Sequence, residues 1–152
     1  MIYQDILDAG ALEQYAAALN SRARRSRARG RLLAADLRDR ILESAGCCEW
    51  CGLSLVSAEF ELDHVLSLKQ GGMNAATNLV VACPDCNRRK GQKHPARFAA
   101  EIHQETGRAT ALVQRVFDLY GLERARQMPL FGAAPKELEN RRMEAPQLSW
   151  TD

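Results

Sequence analysis

Apolar residues in the first part of the chain recur near helical spacing. The apolar positions are Ile6, Leu7, Leu12, Tyr15 and Leu19. This pattern predicts one or two short amphipathic helices, with a possible break at Gly10.

A second helical face follows the arginine-rich stretch "SRARRSRARGR". Its apolar residues recur every four positions, at Leu33, Leu37, Ile41 and Ala45. Gly46 comes directly afterwards, at the C′ position where a glycine commonly ends a helix.

The pattern changes at Cys47, and from there to Lys93 it predicts two strands and a helix. Apolar and acidic residues alternate in "EFELDHV", and "NLVVAC" is almost fully apolar, so both are strand candidates. The loop "KQGGMNAAT" would join them as a long hairpin. Pro84 suits the first position of a helix through "PDCNRRKGQK", because its missing N–H costs nothing there.

Helical spacing returns after Pro95, in "PARFAAEIHQETG", which should end at Gly107. A further helix would offer the core Leu112, Val116, Leu119 and Tyr120. We therefore expect an α+β chain in four parts. These are a helical, Arg-rich N-terminal arm (1–46), a cysteine-bearing core (47–94), C-terminal helices (95–126) and a loosely ordered tail (127–152).

Composition narrows the class of protein. Hydrophobic residues make up 46% and charged residues 26% of the 152, a globular balance, and the net charge is only +2. The start shows no signal-peptide pattern, and no apolar run approaches the roughly 20 residues of a membrane span. We therefore expect a cytoplasmic protein without a membrane contact, in a reducing compartment where paired cysteines bind zinc more often than they form disulfides.

The five cysteines are clustered, and four form two Cys-x-x-Cys pairs: Cys48, Cys51, Cys83 and Cys86. Two such pairs can present four thiolates to one tetrahedral Zn²⁺, in a closed structural site. The alternative is four buried, unligated cysteines. Cys47 is the leftover residue; it could replace Cys48 as a ligand, although Cys48 gives the standard spacing.

Four polar residues between and beside the cysteines remain: Asp63, His64, Asn78 and Asn87. Taken singly, Asp63 could cap a turn and His64 could be a hydrogen-bonded core histidine. Asn78 and Asn87 could be turn or cap residues. Together, "LDHVLSLKQGG" and "TNLVVACPDCNRRKG" resemble the HNH endonucleases, over about Cys48 to Lys93. The resemblance implies a ββα-metal (HNH) core of one hairpin and one helix, braced by a Cys₄ zinc and flanked by N- and C-terminal α-helices.

The resemblance also implies a role for each of these residues. His64 would be the general base, since a neutral imidazole can take a proton from water near pH 7. Asp63 and Asn87 would bind one catalytic Mg²⁺ or Mn²⁺ through hard oxygen ligands. Asn78 would hold the hairpin and orient His64. In a regular strand, however, Asp63 and His64 point to opposite faces, so we expect the strand to end or bulge there.

Basic residues lie in two places where they could contact a nucleic-acid backbone. The predicted helix of the core carries Arg88, Arg89, Lys90 and Lys93. The Arg-rich stretch contributes Arg24, Arg25 and Arg27. That stretch could bind DNA phosphates, a guide RNA or an acidic protein surface. A solvated helix face is the alternative for Arg88 and Arg89.

The sequence therefore predicts a metal-dependent HNH endonuclease or nickase that hydrolyses DNA phosphodiester bonds. The alternative is a non-catalytic, zinc-stabilised nucleic-acid-binding module. The chain could also be the nuclease subunit of a larger targeting or defence complex. "QMPLF", Gln127 to Phe131, resembles the short peptide with which bacterial proteins dock on the sliding clamp.

Overall fold

The computed structural model describes residues 1–121, and these form five α-helices and one two-stranded sheet. In chain order the elements are α1 (Ala9–Arg25), α2 (Ala34–Glu43), β1 (Glu61–His64), β2 (Leu79–Ala82), α3 (Pro84–Lys90), α4 (Pro95–Thr106) and α5 (Ala111–Tyr120). The predicted α+β class is confirmed. The end of the predicted C-terminal helices, the predicted tail and the "QMPLF" peptide lie outside the described residues.

The first helical break lies at Asp8 and not at Gly10. A short 3₁₀ helix, Tyr3–Leu7, ends there, and α1 begins at the next residue. The Asp8 carboxylate accepts hydrogen bonds from the backbone N–H groups of Gly10 and Ala11. A capping carboxylate satisfies N–H groups that have no partner inside a helix, so Gly10 is held in the first turn of α1.

Helix α2 is shorter at both ends than its apolar pattern predicts. Leu33 is the N-cap and is 57% exposed, whereas Leu37 and Ile41 are fully buried. The helix ends before Ala45, which takes a left-handed φ of 53° ahead of Gly46, also left-handed at 74°. Gly46 is therefore one residue beyond the C′ position. Leu33 and Ala45, which the pattern placed on the apolar face of the helix, are both exposed.

Strands β1 and β2 pair antiparallel as the predicted hairpin, with Leu62 opposite Val81 and His64 opposite Leu79. All four residues of β2 are buried. In β1 burial alternates, with Leu62 and His64 inside. Helix α3 begins at Pro84, as predicted, and contacts both strands.

The N-terminal residues pack directly on the hairpin. The Tyr15 hydroxyl of α1 donates to the backbone oxygen of Leu62 at 3.3 Å and lies 3.2 Å from its N–H, from which it accepts. The backbone N–H of Phe60 donates to Met1. The buried residues of α1 are Leu12, Ala16, Leu19 and Ala23, and they line the same face of the helix. Helix α1, within the predicted N-terminal arm, therefore packs against the hairpin.

Helices α4 and α5 pack on each other beside the cysteine pairs. Helix α4 ends at Gly107, as predicted, and that glycine has a left-handed φ of 66°. Trp50, between the first two paired cysteines, is fully buried and makes an edge-to-face contact with Phe98 of α4. None of the helices formed by residues 1–121 is long and apolar enough to cross a membrane.

Candidate functional site

The four paired cysteines converge on one point. The Sγ atoms of Cys48, Cys51, Cys83 and Cys86 all lie within 4.8 Å of one another. Cys47 stands apart, and its Sγ faces the backbone oxygen of Ala45 at 3.8 Å. The fold therefore places four cysteines to bind a metal ion and selects Cys48 over Cys47.

The spacing and chemistry of the four thiols fit a cation. Ligands about 2.3 Å from a tetrahedral Zn²⁺ are about 3.8 Å from each other, and Cys51 and Cys83 have their sulfurs 4.0 Å apart. A hydrogen bond from Cys86 lowers the pKa of the Cys48 thiol to about 5, while burial raises that of Cys51 to about 11. Without a cation, Cys48 therefore loses its proton at a lower pH than Cys51. A bound cation would stabilise the thiolate form of all four cysteines.

Glu49, next to Cys48, ties the first cysteine pair to three elements. Its carboxylate accepts from the Val81 N–H of β2 at 2.8 Å and from the buried Arg40 of α2 at 2.5 Å. Its backbone oxygen accepts from the Thr110 hydroxyl at the start of α5. These hydrogen bonds hold the first cysteine pair against β2, α2 and the start of α5.

Asp63 and His64 line the same cleft, of about 270 Å³, although they are neighbours in a strand. Strand β1 ends at His64, and the N–H of the next residue, Val65, still donates across the hairpin, to the Asn78 oxygen at 2.8 Å. Arg22 and Arg25 from the end of α1 also line the cleft, as does Lys69 from the loop after β1. The strand ends at this pair, as expected from the sequence, and both side chains border the cleft.

His64 is 3% exposed, and its Nε2 lies 3.0 Å from the side-chain oxygen of Asn74. Burial lowers the pKa of His64, and the Asn74 contact opposes that effect. The imidazole is therefore neutral at pH 7, which is the protonation state of a general base.

Asn78 holds the loop that follows β1, but it does not hydrogen-bond to His64. Its side-chain oxygen accepts from the Leu66 N–H, and its amide donates to the backbone oxygens of Leu66 and Met73, each at 2.9 Å. The predicted hold on the hairpin is thus present, whereas the direct contact with His64 belongs to Asn74. No signal in the sequence distinguished Asn74 from the other loop residues.

Asn87 faces β1 from α3, and its amide nitrogen donates to the carboxylate of Glu61. Glu61 and Asp63 are two residues apart in β1 and share one face of the strand. Three residues with hard oxygen atoms thus lie along this side of the hairpin, and carboxylate and amide oxygens are the ligands that small divalent cations prefer. Asn87 does not itself line the cleft of Asp63 and His64. The period-two rule could have found Glu61 from the sequence.

The basic residues of α3 and of the segment after it either form ion pairs with nearby carboxylates or are buried. Arg88 pairs with Asp85, Arg89 with Glu105, and Lys93 with Glu101, at 2.5 to 3.2 Å. Lys90 is 1% exposed, and burial lowers its pKa. Its position differs from the surface site that a backbone contact with DNA requires.

The exposed cations at the cleft come from elsewhere, namely Arg22, Arg25 and Lys69. Within residues 1–121, no carboxylate forms an ion pair with any of these three side chains. Arg24 and Arg27 are exposed but do not line the cleft. Arg25 is thus the one residue of the predicted nucleic-acid set that lines this cleft.

Comparison with known protein families gives a match for the central segment of the chain. No curated protein matches the chain. Residues 48–103, a little over a third of the chain, match the family model described as HNH endonuclease. This range contains the four clustered cysteines and the Asp63-His64 cleft residues, and it extends into α4. The resemblance drawn from the sequence is confirmed: this segment belongs to the HNH endonuclease family.

Proposed function

We propose that the protein is a metal-dependent endonuclease or nickase that hydrolyses phosphodiester bonds in DNA. The observation that carries the proposal is the cleft shared by Asp63 and His64, which sets a neutral imidazole beside a carboxylate. Binding alone would need neither group. The family of the segment supports the same reaction class.

In the proposed reaction His64 is the general base. It takes a proton from a water molecule as the water oxygen forms a bond to phosphorus, and the bond to the 3′ oxygen breaks. The departing 3′ oxygen takes up a proton from solvent, so the reaction leaves a 5′ phosphate and a 3′ hydroxyl. Burial keeps the imidazole unprotonated before the step, so it can accept this proton at pH 7.

Asp63 and Asn87 would hold the catalytic Mg²⁺ or Mn²⁺. The hydrogen bond from the Asn87 amide nitrogen to Glu61 leaves the amide oxygen as the atom available for a cation. Glu61 shares the strand face of Asp63 and adds a carboxylate to this set. When bound, the cation would stabilise negative charge on the phosphoryl oxygens and on the leaving oxygen.

Arg22, Arg25 and Lys69 would bind phosphates of the DNA on either side of the bond that is cut. All three are exposed and line the cleft of Asp63 and His64. Exposed cations beside a reactive centre attract a polyanion and hold it without reading its sequence. The four clustered cysteines would hold Zn²⁺, whose role would be structural because four protein ligands leave no position for substrate.

Plasmid nicking tests the proposal. The zinc-loaded protein should convert supercoiled plasmid to the open circular form when Mg²⁺ or Mn²⁺ is added. His64→Ala should lower the rate by about 100-fold to 10,000-fold, because a general base contributes that much. His103→Ala is the matched control, since this histidine lies on α4 against Phe117, outside the cleft.

Equal nicking by wild type and His64→Ala would remove His64 from the mechanism. DNA binding without any cleavage, at full zinc content, would favour the alternative of a non-catalytic nucleic-acid-binding module. A guide RNA, other subunits, a sliding-clamp contact and a cytoplasmic location remain predictions of the sequence and form no part of this proposal.

A further inference from the structure

We infer that Asn20 of α1 and Asn74 of the hairpin loop are positioning residues for His64. They fix its neutral ring with the proton on Nε2, so that Nδ1 presents the lone pair to the cleft. The inference rests on the proposed role of His64 as a general base. A chain of hydrogen bonds runs from the backbone of Leu32 through the side chains of Asn20 and Asn74 to the His64 ring.

The first link is Asn20, whose side chain is oriented by the backbone of Leu32. The Leu32 N–H donates to the Asn20 side-chain oxygen at 2.8 Å, and the Asn20 amide donates to the Leu32 oxygen at 2.9 Å. A backbone N–H can only donate and a backbone oxygen can only accept. The amide of Asn20 therefore has a single orientation that satisfies both contacts.

The second link is Asn74, which is fully buried. One end of its amide lies 2.8 Å from the side-chain oxygen of Asn20 and 3.5 Å from the Gly30 oxygen. Both neighbours are acceptors, so this end of Asn74 is the nitrogen. The other end, which faces His64, is consequently the oxygen.

The third link is the His64 ring. Its Nε2 lies 3.0 Å from the Asn74 oxygen, which can only accept. Nε2 must then carry the proton, and in a neutral ring Nδ1 carries none. Nδ1 makes no hydrogen bond to another side chain or to the backbone of residues 1–121, and it is not fully enclosed. The basic nitrogen is therefore the one left open towards the cleft.

The backbone fixes the position of Asn74 as well. Its N–H donates to the Arg29 oxygen at 2.7 Å. Gly30, with a left-handed φ of 100°, lies against the backbone of Asn74, and a Cβ there would be 2.5 Å from the Asn74 backbone oxygen. Asn20, Arg29, Gly30 and Leu32 all precede the segment that matches the family model. The ring orientation is thus supplied by residues outside the HNH segment.

Nitrogen NMR of the ring tests the inference without DNA or Mg²⁺. Protein labelled with ¹⁵N at histidine and loaded with zinc is examined above the pH at which its imidazoles ionise. The His64 signals are assigned by their absence in His64→Ala. The wild type should show the Nε2–H form. A neutral His64 with its proton on Nδ1 overturns the inference, whatever the nuclease activity.

Two substitutions of Asn20 separate positioning from packing. Asn20→Leu removes the acceptor for Asn74, so it should give a mixture of both neutral ring forms. It should lower kcat by about 10-fold to 100-fold at unchanged KM, the usual scale for residues that orient a functional histidine. Asn20→Asp keeps that acceptor, and it should restore the Nε2–H form and most of the lost kcat. Gln14→Leu, at an exposed amide of the same helix, is the matched control.

A folded, zinc-loaded Asn20→Leu protein with an unchanged ring form and kcat overturns the inference. If Asn20→Leu fails to fold, the wild-type spectrum and Asn20→Asp decide. An Nε2–H ring in a protein that does not nick plasmid would support the positioning and refute the proposed nuclease function, so the two failures differ.

Discussion

Lys90 combines a charged side chain with almost complete burial. It lies on α3 and is 1% exposed, and its Nζ makes no hydrogen bond within residues 1–121. Burial lowers the pKa of Lys90, and the nearby carboxylate of Asp63 opposes that effect. We therefore expect the buried ammonium of Lys90 to make no contact with DNA.

Two lysine substitutions of identical chemistry test this expectation. Lys69→Met removes an exposed cation of the cleft and Lys90→Met removes the buried one. With Lys69→Met, the dependence of log affinity for duplex DNA on log salt concentration should become shallower by about 0.9, as for one lost phosphate contact. Lys90→Met should leave that slope unchanged. Fluorescence anisotropy across a salt series measures both, and a shallower slope for Lys90→Met would show that its ammonium reaches DNA.

At the scale of elements, the loop between β1 and β2 depends on a close approach at Gly72. A Cβ at this position would lie 1.9 Å from the Leu66 oxygen and 2.8 Å from the Asn78 amide nitrogen. These are the groups through which Asn78 closes the loop. A side chain here must displace backbone that is hydrogen-bonded on both sides.

Gly72→Ala should therefore lower the free energy of unfolding by about 3 kcal/mol. It should also disturb His64, because Asn74 lies in the same loop. Gly71→Ala, at the open neighbouring position, is the comparison for substitution of a loop glycine, although its φ of 90° adds strain of its own. Urea unfolding measures both, and equal losses would mean that the Leu66 contact is not the cause.

The elements of the hairpin could be predicted because local rules fix them. Alternation identified β1, the missing N–H of Pro84 marked the start of α3, and cysteine spacing identified the four thiols that converge. Glu61 shares a strand face with Asp63 and follows from the same alternation, whereas Asn74 and Arg22 could not be assigned in this way. Their roles depend on contacts between residues distant in the sequence, such as Asn74 with Asn20, and no local pattern records these contacts. For the same reason Lys90 was grouped with surface cations, since residue type does not show burial.

At the scale of the whole molecule, the cluster of four cysteines joins two segments that are far apart in the sequence, with 32 positions from Cys51 to Cys83. Cys48 and Cys51 precede the hairpin, whereas Cys83 and Cys86 lie at the start of α3, next to Asn87. Structural zinc contributes about 10–16 kcal/mol to the folding of small zinc domains, as much as the total stability of a typical domain. Loss of a bound metal should therefore affect α3, which carries Asn87, together with the cysteine pairs.

Cys83→Ser should accordingly lose its zinc and its cooperative thermal transition. Cys47→Ser should keep both, because the Cys47 sulfur lies outside the cluster. Elemental analysis of the purified proteins and circular dichroism on heating measure the two properties. A zinc-loaded, folded Cys83→Ser protein would rule out the four-cysteine site, and loss of zinc from Cys47→Ser would rule out Cys48 as the ligand.

The contact of Tyr15 with β1 has a consequence for how other chains can associate with the protein. Burial raises the pKa of Tyr15, so its hydroxyl stays protonated and can both donate to and accept from Leu62. An outer strand normally offers such backbone groups to any extended peptide, which can then add to the sheet. Here the N–H and the oxygen of Leu62 are already hydrogen-bonded to the Tyr15 hydroxyl. Recruitment of a partner by strand addition at β1 would require α1 to leave the hairpin, and that movement would also withdraw Asn20 from Asn74.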